Sequence, residues 1–134
     1  MKKFLILALV CFSTITFAKK TEFVSFTEDK LAVLVTPDQP QFILKLKSNP
    51  TTGYSWFLKS YDANIFIPKK HFFNAEKNSH LVGAPGIEEW VFATKKDAFI
   101  VPQTSMMTFV YKRPWENSTD NREVSFVFSL TAKK

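Results

Sequence analysis

The sequence predicts an all-β fold, a sandwich or barrel of short antiparallel strands, and three observations carry the prediction. Apolar and polar residues alternate with period two. In QFILKLK, Phe42, Leu44 and Leu46 face one way while Gln41, Lys45 and Lys47 face the other; in EVSFVFSL, Val124, Phe126, Phe128 and Leu130 alternate with Ser125 and Ser129. No stretch carries an apolar stripe at 3.6-residue spacing over helical length. Pro, Gly and Asn gather between the alternating runs, where turns need them.

From the N-terminus, residues 1–18 read MKKFLILALVCFSTITFA. A basic start at Lys2 and Lys3, an apolar stretch from Phe4 to Phe12 and a small-x-small site at Thr16-Phe17-Ala18 make a secretory signal peptide. The run is shorter than the roughly 20 residues that span a bilayer. A lipid anchor at Cys11 is disfavoured by Leu9-Val10, where processing prefers a small residue. The expected mature chain is one domain, Lys19 to Lys134, exported to the periplasm or secreted. Strands are expected over 22–27, 30–35, 40–48, 54–60, 68–77, 87–94, 105–112 and 121–130. If direction alternates from 40–48 onward, the connections 49–53, 78–86 and 113–120 fall at one pole. Immunoglobulin-like sandwiches collect alternate loops in this way, and antibodies bind with such an end.

Cys11, the single cysteine, leaves with the leader. The mature chain then has no disulfide, thiol nucleophile or cysteine metal site, and its stability must come from the core. Twelve of the fifteen Phe remain, with Trp56, Trp90 and Trp115. The formal charge of +6 includes Lys2 and Lys3, and the other basic residues are scattered, in pairs such as Lys69-Lys70 and Lys95-Lys96, with acids between them. Such a surface favours solubility and steering toward acidic partners. Export and the lack of a concentrated basic stripe argue against nucleic acid.

Each polar loop has a plain reading and a functional one. In NPTTGYSW, Pro50 fixes its own φ and restricts Asn49, and Gly53 can adopt positive φ. Asn49 can bond back to its own loop. Turning does not require Thr51 and Thr52; they are surplus hydroxyls at the tip of a stiff projection. Tyr54 and Trp56 share a strand face and are expected to pack beneath it. In HLVGAPGIEEW, Gly83, Ala84, Pro85 and Gly86 make either a hairpin loop or a shaped contact surface. Glu88 and Glu89 point to opposite faces of a strand, which argues against a catalytic pair. In YKRPWENSTDNRE, Arg113-Pro114-Trp115 sets a Trp beside an Arg in a Pro-braced loop. The Trp either folds back onto the core or anchors an interface, where these residue types dominate. Asn117-Ser118-Thr119 fits a glycosylation acceptor in a eukaryotic secretory pathway.

Catalytic signatures are absent from the sequence. His71 and His80 lack ligand spacing, and no G-x-S-x-G, H-E-x-x-H or phosphate-cradling glycine loop occurs. The expectation is a protein without enzyme activity, metal or cofactor.

Taken together, the three loops resemble those of the chagasin-type inhibitors of cysteine peptidases. That family's signatures are an N-P-T-T-G-aromatic loop, a G-x-x-G loop and an R-P-W loop. Here they stand in the same order as Asn49–Tyr54, Gly83–Gly86 and Arg113–Trp115, and the similarity spans nearly all the mature chain. The resemblance implies an immunoglobulin-like antiparallel β-sandwich that reversibly inhibits papain-like, cathepsin L-like proteases; a monomer is the default expectation for such a wedge inhibitor. It implies that Thr51, Thr52 and Gly53 sit near the protease's catalytic Cys and His. Gly83–Gly86 would lie along one wall of the cleft, and Arg113 and Trp115 on the other. Pro85 departs from the glycine common in the family, stiffening that loop and removing a backbone donor. The alternative function is a secreted adhesion or ligand-binding sandwich that uses the same loops without inhibiting.

Overall fold

The structure, a computed structural model, describes residues 23–75, 83–119 and 121–134. The expected leader, His80, residues 78–82 of the 78–86 connection and the ends of two expected strands (residue 22 and residues 76–77) lie outside the described residues. Eight strands form: β1 (Val24–Thr27), β2 (Ala32–Val35), β3 (Gln41–Ser48), β4 (Ser55–Ser60), β5 (Phe66–Ala75), β6 (Gly86–Thr94), β7 (Gln103–Lys112) and β8 (Arg122–Leu130). Two short 3₁₀ turns, Pro50–Thr52 and Lys96–Phe99, were not expected from the pattern.

The strands make two four-stranded sheets, ordered β1-β3-β6-β5 and β2-β8-β7-β4. Together they form an immunoglobulin-like sandwich. The expectation of purely antiparallel sheets needs correction, because β1 pairs with β3 in parallel and β2 with β8 in parallel. Direction does alternate along the chain. However, β1 to β4 switch sheets at each step, so neighbours within a sheet are not always consecutive. Strands an odd number of steps apart (β3 and β6, β5 and β6, β4 and β7, β7 and β8) pair antiparallel. Those an even number apart must pair parallel.

Alternation decides what is inside. Phe42, Leu44 and Leu46 of β3, Phe92 of β6, Met107 and Phe109 of β7, and Phe126, Phe128 and Leu130 of β8 are all buried. Full burial of one such side chain contributes about 1.5–3 kcal/mol, and these residues substitute for the missing disulfide. Phe42 is the hub of the aromatic packing, with ring centroids 5.7 Å from Phe92, 5.8 Å from Phe66 and 5.1 Å from Phe128. Pro68 lies on the sheet-edge strand β5, where the register shifts between Pro68 and Lys70. A residue without an N–H is tolerated at such a position, and the bulge with Lys69 and Lys70 discourages edge-to-edge pairing.

β3 ends, β6 begins, and β7 gives way to β8 at the same pole of the sandwich. The antiparallel registers Ser48↔Gly86, Ser55↔Lys112 and Tyr111↔Arg122, with residues 49–54 joining the end of β3 to the start of β4, fix this. The parity argument therefore holds, and the three loops emerge together.

Candidate functional site

The Asn49–Tyr54 loop is a single 3₁₀ turn braced from within. Gly53 N–H donates to Pro50 O at 2.9 Å, and Thr52 N–H to Asn49 O at 3.2 Å. The two hydroxyls that turning does not require reinforce it. Thr51 Oγ1 donates to Asn49 Oδ1 and Thr52 Oγ1 to Asn49 O, both at 2.6 Å. Each Thr keeps its acceptor lone pairs and stays exposed at the tip. Gly53 closes the turn at φ +83°, a left-handed conformation that disfavours a side chain.

Beneath the loop stands an aromatic column. Tyr111 of β7 lies between Tyr54, at 5.3 Å, and the buried Trp56, at 5.0 Å. The Tyr111 hydroxyl accepts the Asn49 N–H at 2.8 Å, and Trp56 Nε1 donates to Lys47 O at 2.9 Å. Tyr54 and Trp56 thus pack under the loop as the sequence predicts.

Arg113 locks the third loop to the first. Its Nε donates to Thr52 O at 2.8 Å, a second guanidinium nitrogen donates to Glu116 Oε1 at 2.7 Å, and the group lies 4.6 Å over the Tyr54 ring. The Glu116 hydrogen bond raises the Arg113 pKa above its ordinary value, so the group is charged at any physiological pH. Pro114 and Trp115 form the turn that follows, closed by Glu116 N–H to Arg113 O at 3.2 Å. Trp115 does not fold into the core: it is 69% exposed. The edge of its six-membered ring lies over Gly53, where a Cβ would come within 2.7 Å of it.

The second loop meets the first on the other side. Gly83, at φ +88°, brings its carbonyl 3.5 Å from Thr51 Oγ1, a long and weak contact. Ala84 is half-buried and Pro85 exposed. Gly86 is buried, and a Cβ there would collide with the Phe73 ring and the Asn74 carbonyl. Its part in the loop is to seat the backbone against β5. The thirteen residues singled out from the sequence are therefore brought to one pole. The Asn49–Tyr54 loop is central, with Gly83–Gly86 and Arg113–Trp115 flanking it.

Three residues that hold the site were missed: Tyr111, Glu116 and Glu88, the last weighed in the sequence only as half of an acid pair. Glu88 is 1% exposed and reaches Ser48, Trp56 and His71 from the inner face of β6. Its parity with Phe92 marks it as inward-facing, but no local signal announces the donors it meets. No group of three or more metal-ligating side chains occurs among the described residues.

Comparison with known proteins agrees with this arrangement. The profile described as Chagasin family peptidase inhibitor I42 matches residues 37–130, which hold β3 to β8 and all three loops. Amoebiasin-2 of Entamoeba histolytica is 30% identical over 121 residues, 90% of each chain. Chagasin of Trypanosoma cruzi is 28% identical over 85 residues, 60% of this chain and 71% of its own. A crystal structure of a cysteine protease inhibitor from Entamoeba histolytica shares the fold with a TM-score of 0.63 and 24% identity, over 83% of this chain and 96% of that one. With its loops in order and its profile match spanning most of the sandwich, this chain belongs to the chagasin family of peptidase inhibitors, proteins that block proteolysis and are not themselves enzymes.

Proposed function

We propose that this protein reversibly inhibits papain-like cysteine peptidases of the cathepsin L type by filling their catalytic cleft with the three-loop ridge. The observation that carries the reading is the cross-bracing of three loops distant in sequence. Arg113 donates to Thr52 O, Trp115 rests on Gly53 and Gly83 approaches Thr51. A ridge held this way loses little conformational entropy on binding, and entropy loss is a main cost of association. A three-loop wedge can also reach the usual interface area of roughly 1,600 Å².

In this reading Thr51, Thr52 and Gly53 approach the catalytic Cys and His. The hydroxyl lone pairs and the exposed backbone offer partners to polar groups that would otherwise be buried unsatisfied. Gly83, Ala84 and Pro85 line one wall of the cleft, with Gly86 as their seat, and Arg113, Pro114 and Trp115 line the other. Asn49 and Pro50 shape the tip, and Tyr54 supports it. Blocking requires no chemistry on the inhibitor's side, which suits a site without a nucleophile or base. Residues 1–18 direct export, so the target is met in the periplasm or outside the cell, and the inhibitor acts as a monomer.

Titration of purified protein against papain and a cathepsin L-like protease, following a fluorogenic peptide, tests the proposal. The expected result is stoichiometric, reversible loss of activity. Full activity of several such proteases at micromolar folded protein would overturn it.

A further inference from the structure

Glu88 is the only charged residue in the buried set among the described residues. A buried carboxylate without partners costs several kcal/mol, so its partners account for its place. Ser48 Oγ donates to Oε1 at 2.5 Å. The Trp56 N–H is shared between Oε1 at 3.2 Å and Oε2 at 3.3 Å. His71 Nε2 lies 2.8 Å from Oε2, on a side chain that is itself exposed to solvent.

The positions of these partners matter more than their number. Ser48 ends β3, immediately before Asn49. Trp56 is the second residue of β4, two beyond Tyr54. One side chain on β6 therefore holds both feet of the Asn49–Tyr54 loop and ties the first sheet to the edge strand of the second. We infer that Glu88 is a positioning residue for inhibition: it fixes the spacing of the two feet, so the loop is presented in its binding-competent form before the protease arrives. This inference rests on the reading of Asn49–Tyr54 as the blocking element.

The chemistry requires a carboxylate. Its two oxygens serve donors from a hydroxyl, a backbone N–H and an imidazole. An amide offers one acceptor oxygen and turns its NH₂ toward one of those groups. An apolar residue leaves Ser48 Oγ and the Trp56 N–H buried without partners. If the feet loosen, only a fraction of molecules holds the competent loop, and apparent affinity falls by that fraction. Glu88 lies behind the loop, so the contacts of the formed complex are unchanged. The loss then falls on the association rate. Interface mutations usually act on dissociation instead, so the pattern is diagnostic.

The experiment compares wild type, Glu88→Gln and Ser48→Ala. Association and dissociation rates are measured with papain as the probe, and amide hydrogen exchange is followed at Thr52 and Gly53. Near-ultraviolet circular dichroism confirms that each variant is folded. Glu88→Gln is expected to associate about tenfold more slowly, the weight of one hydrogen bond to a charged group. Its dissociation rate should stay within about twofold of wild type, a change too small to report a lost contact. Thr52 and Gly53 amides should exchange faster. Ser48→Ala should move in the same direction by less, and it decides the matter if Glu88→Gln does not fold. Unchanged association and exchange in a folded variant, or a loss confined to dissociation, would overturn the inference. If wild type itself leaves papain untouched, the inhibitor reading fails while the exchange data still decide whether Glu88 holds the loop.

Discussion

Trp115 concentrates the residue-scale argument. It is 69% exposed yet held in place over Gly53, so a large aromatic face is presented to solvent in a fixed position at the ridge. Trp115→Ala should weaken binding to a papain-like protease by about 2 kcal/mol or more, as at other interface anchors. Its melting temperature should hardly change, because the ring supports no core residue. Inhibition constants and thermal unfolding of the same preparations check both halves. The sequence left Trp115 open between the core and an interface, because nothing local announces that Gly53 lies under its ring. The role of Thr51 and Thr52 was legible only in part. Their hydroxyls read as groups kept for a partner, whereas each donates its proton to Asn49. Glu88 was not legible as a brace, because its partners Ser48 and Trp56 lie 40 and 32 residues away.

At the scale of elements, the period-two pattern located every strand to within about two residues, the usual scatter at element ends. Alternation reports burial directly, so it sees strands well. It does not report pairing, and the parallel contacts of β1 and β2 followed from which sheet each strand joined. The 3₁₀ turn at Pro50–Thr52 was equally hidden, since it is made by Asn49 accepting bonds from residues beyond it. Gly86 shows the value of a site at an element boundary. It begins β6 opposite both Ser48 and Ala75, and Phe73 fills the space where its side chain would stand. Gly86→Ala should therefore push β5 away from β6 and cost about 1–3 kcal/mol, as overpacking does. Urea unfolding should show a lower midpoint with an unchanged slope, since the compactness of both end states is kept. A midpoint equal to wild type would mean that β5 yields there without cost.

For the whole molecule, stability and binding are placed at opposite ends. The Phe42, Phe66, Phe92 and Phe128 cluster lies where β3 and β5 begin and where β6 and β8 near their ends, the pole away from the loops. The loop pole is held by its own devices, the Tyr54–Tyr111–Trp56 column, Arg113 and Glu88. Sites this far apart with no shared partners should act independently, within about 0.5 kcal/mol. Phe128→Leu keeps an apolar side chain and leaves a small cavity among its ring neighbours. It should lower stability by about 1–2 kcal/mol, at the mild end of large-to-small core changes. Inhibition per folded molecule should match wild type. Combined with Trp115→Ala, it should give a protein with the reduced melting temperature of one variant and the reduced affinity of the other. A double variant whose affinity falls well below that of Trp115→Ala alone would show the ridge drawing its rigidity from the distal core. The local braces at Arg113 and Glu88 would then be insufficient to hold the loops without it.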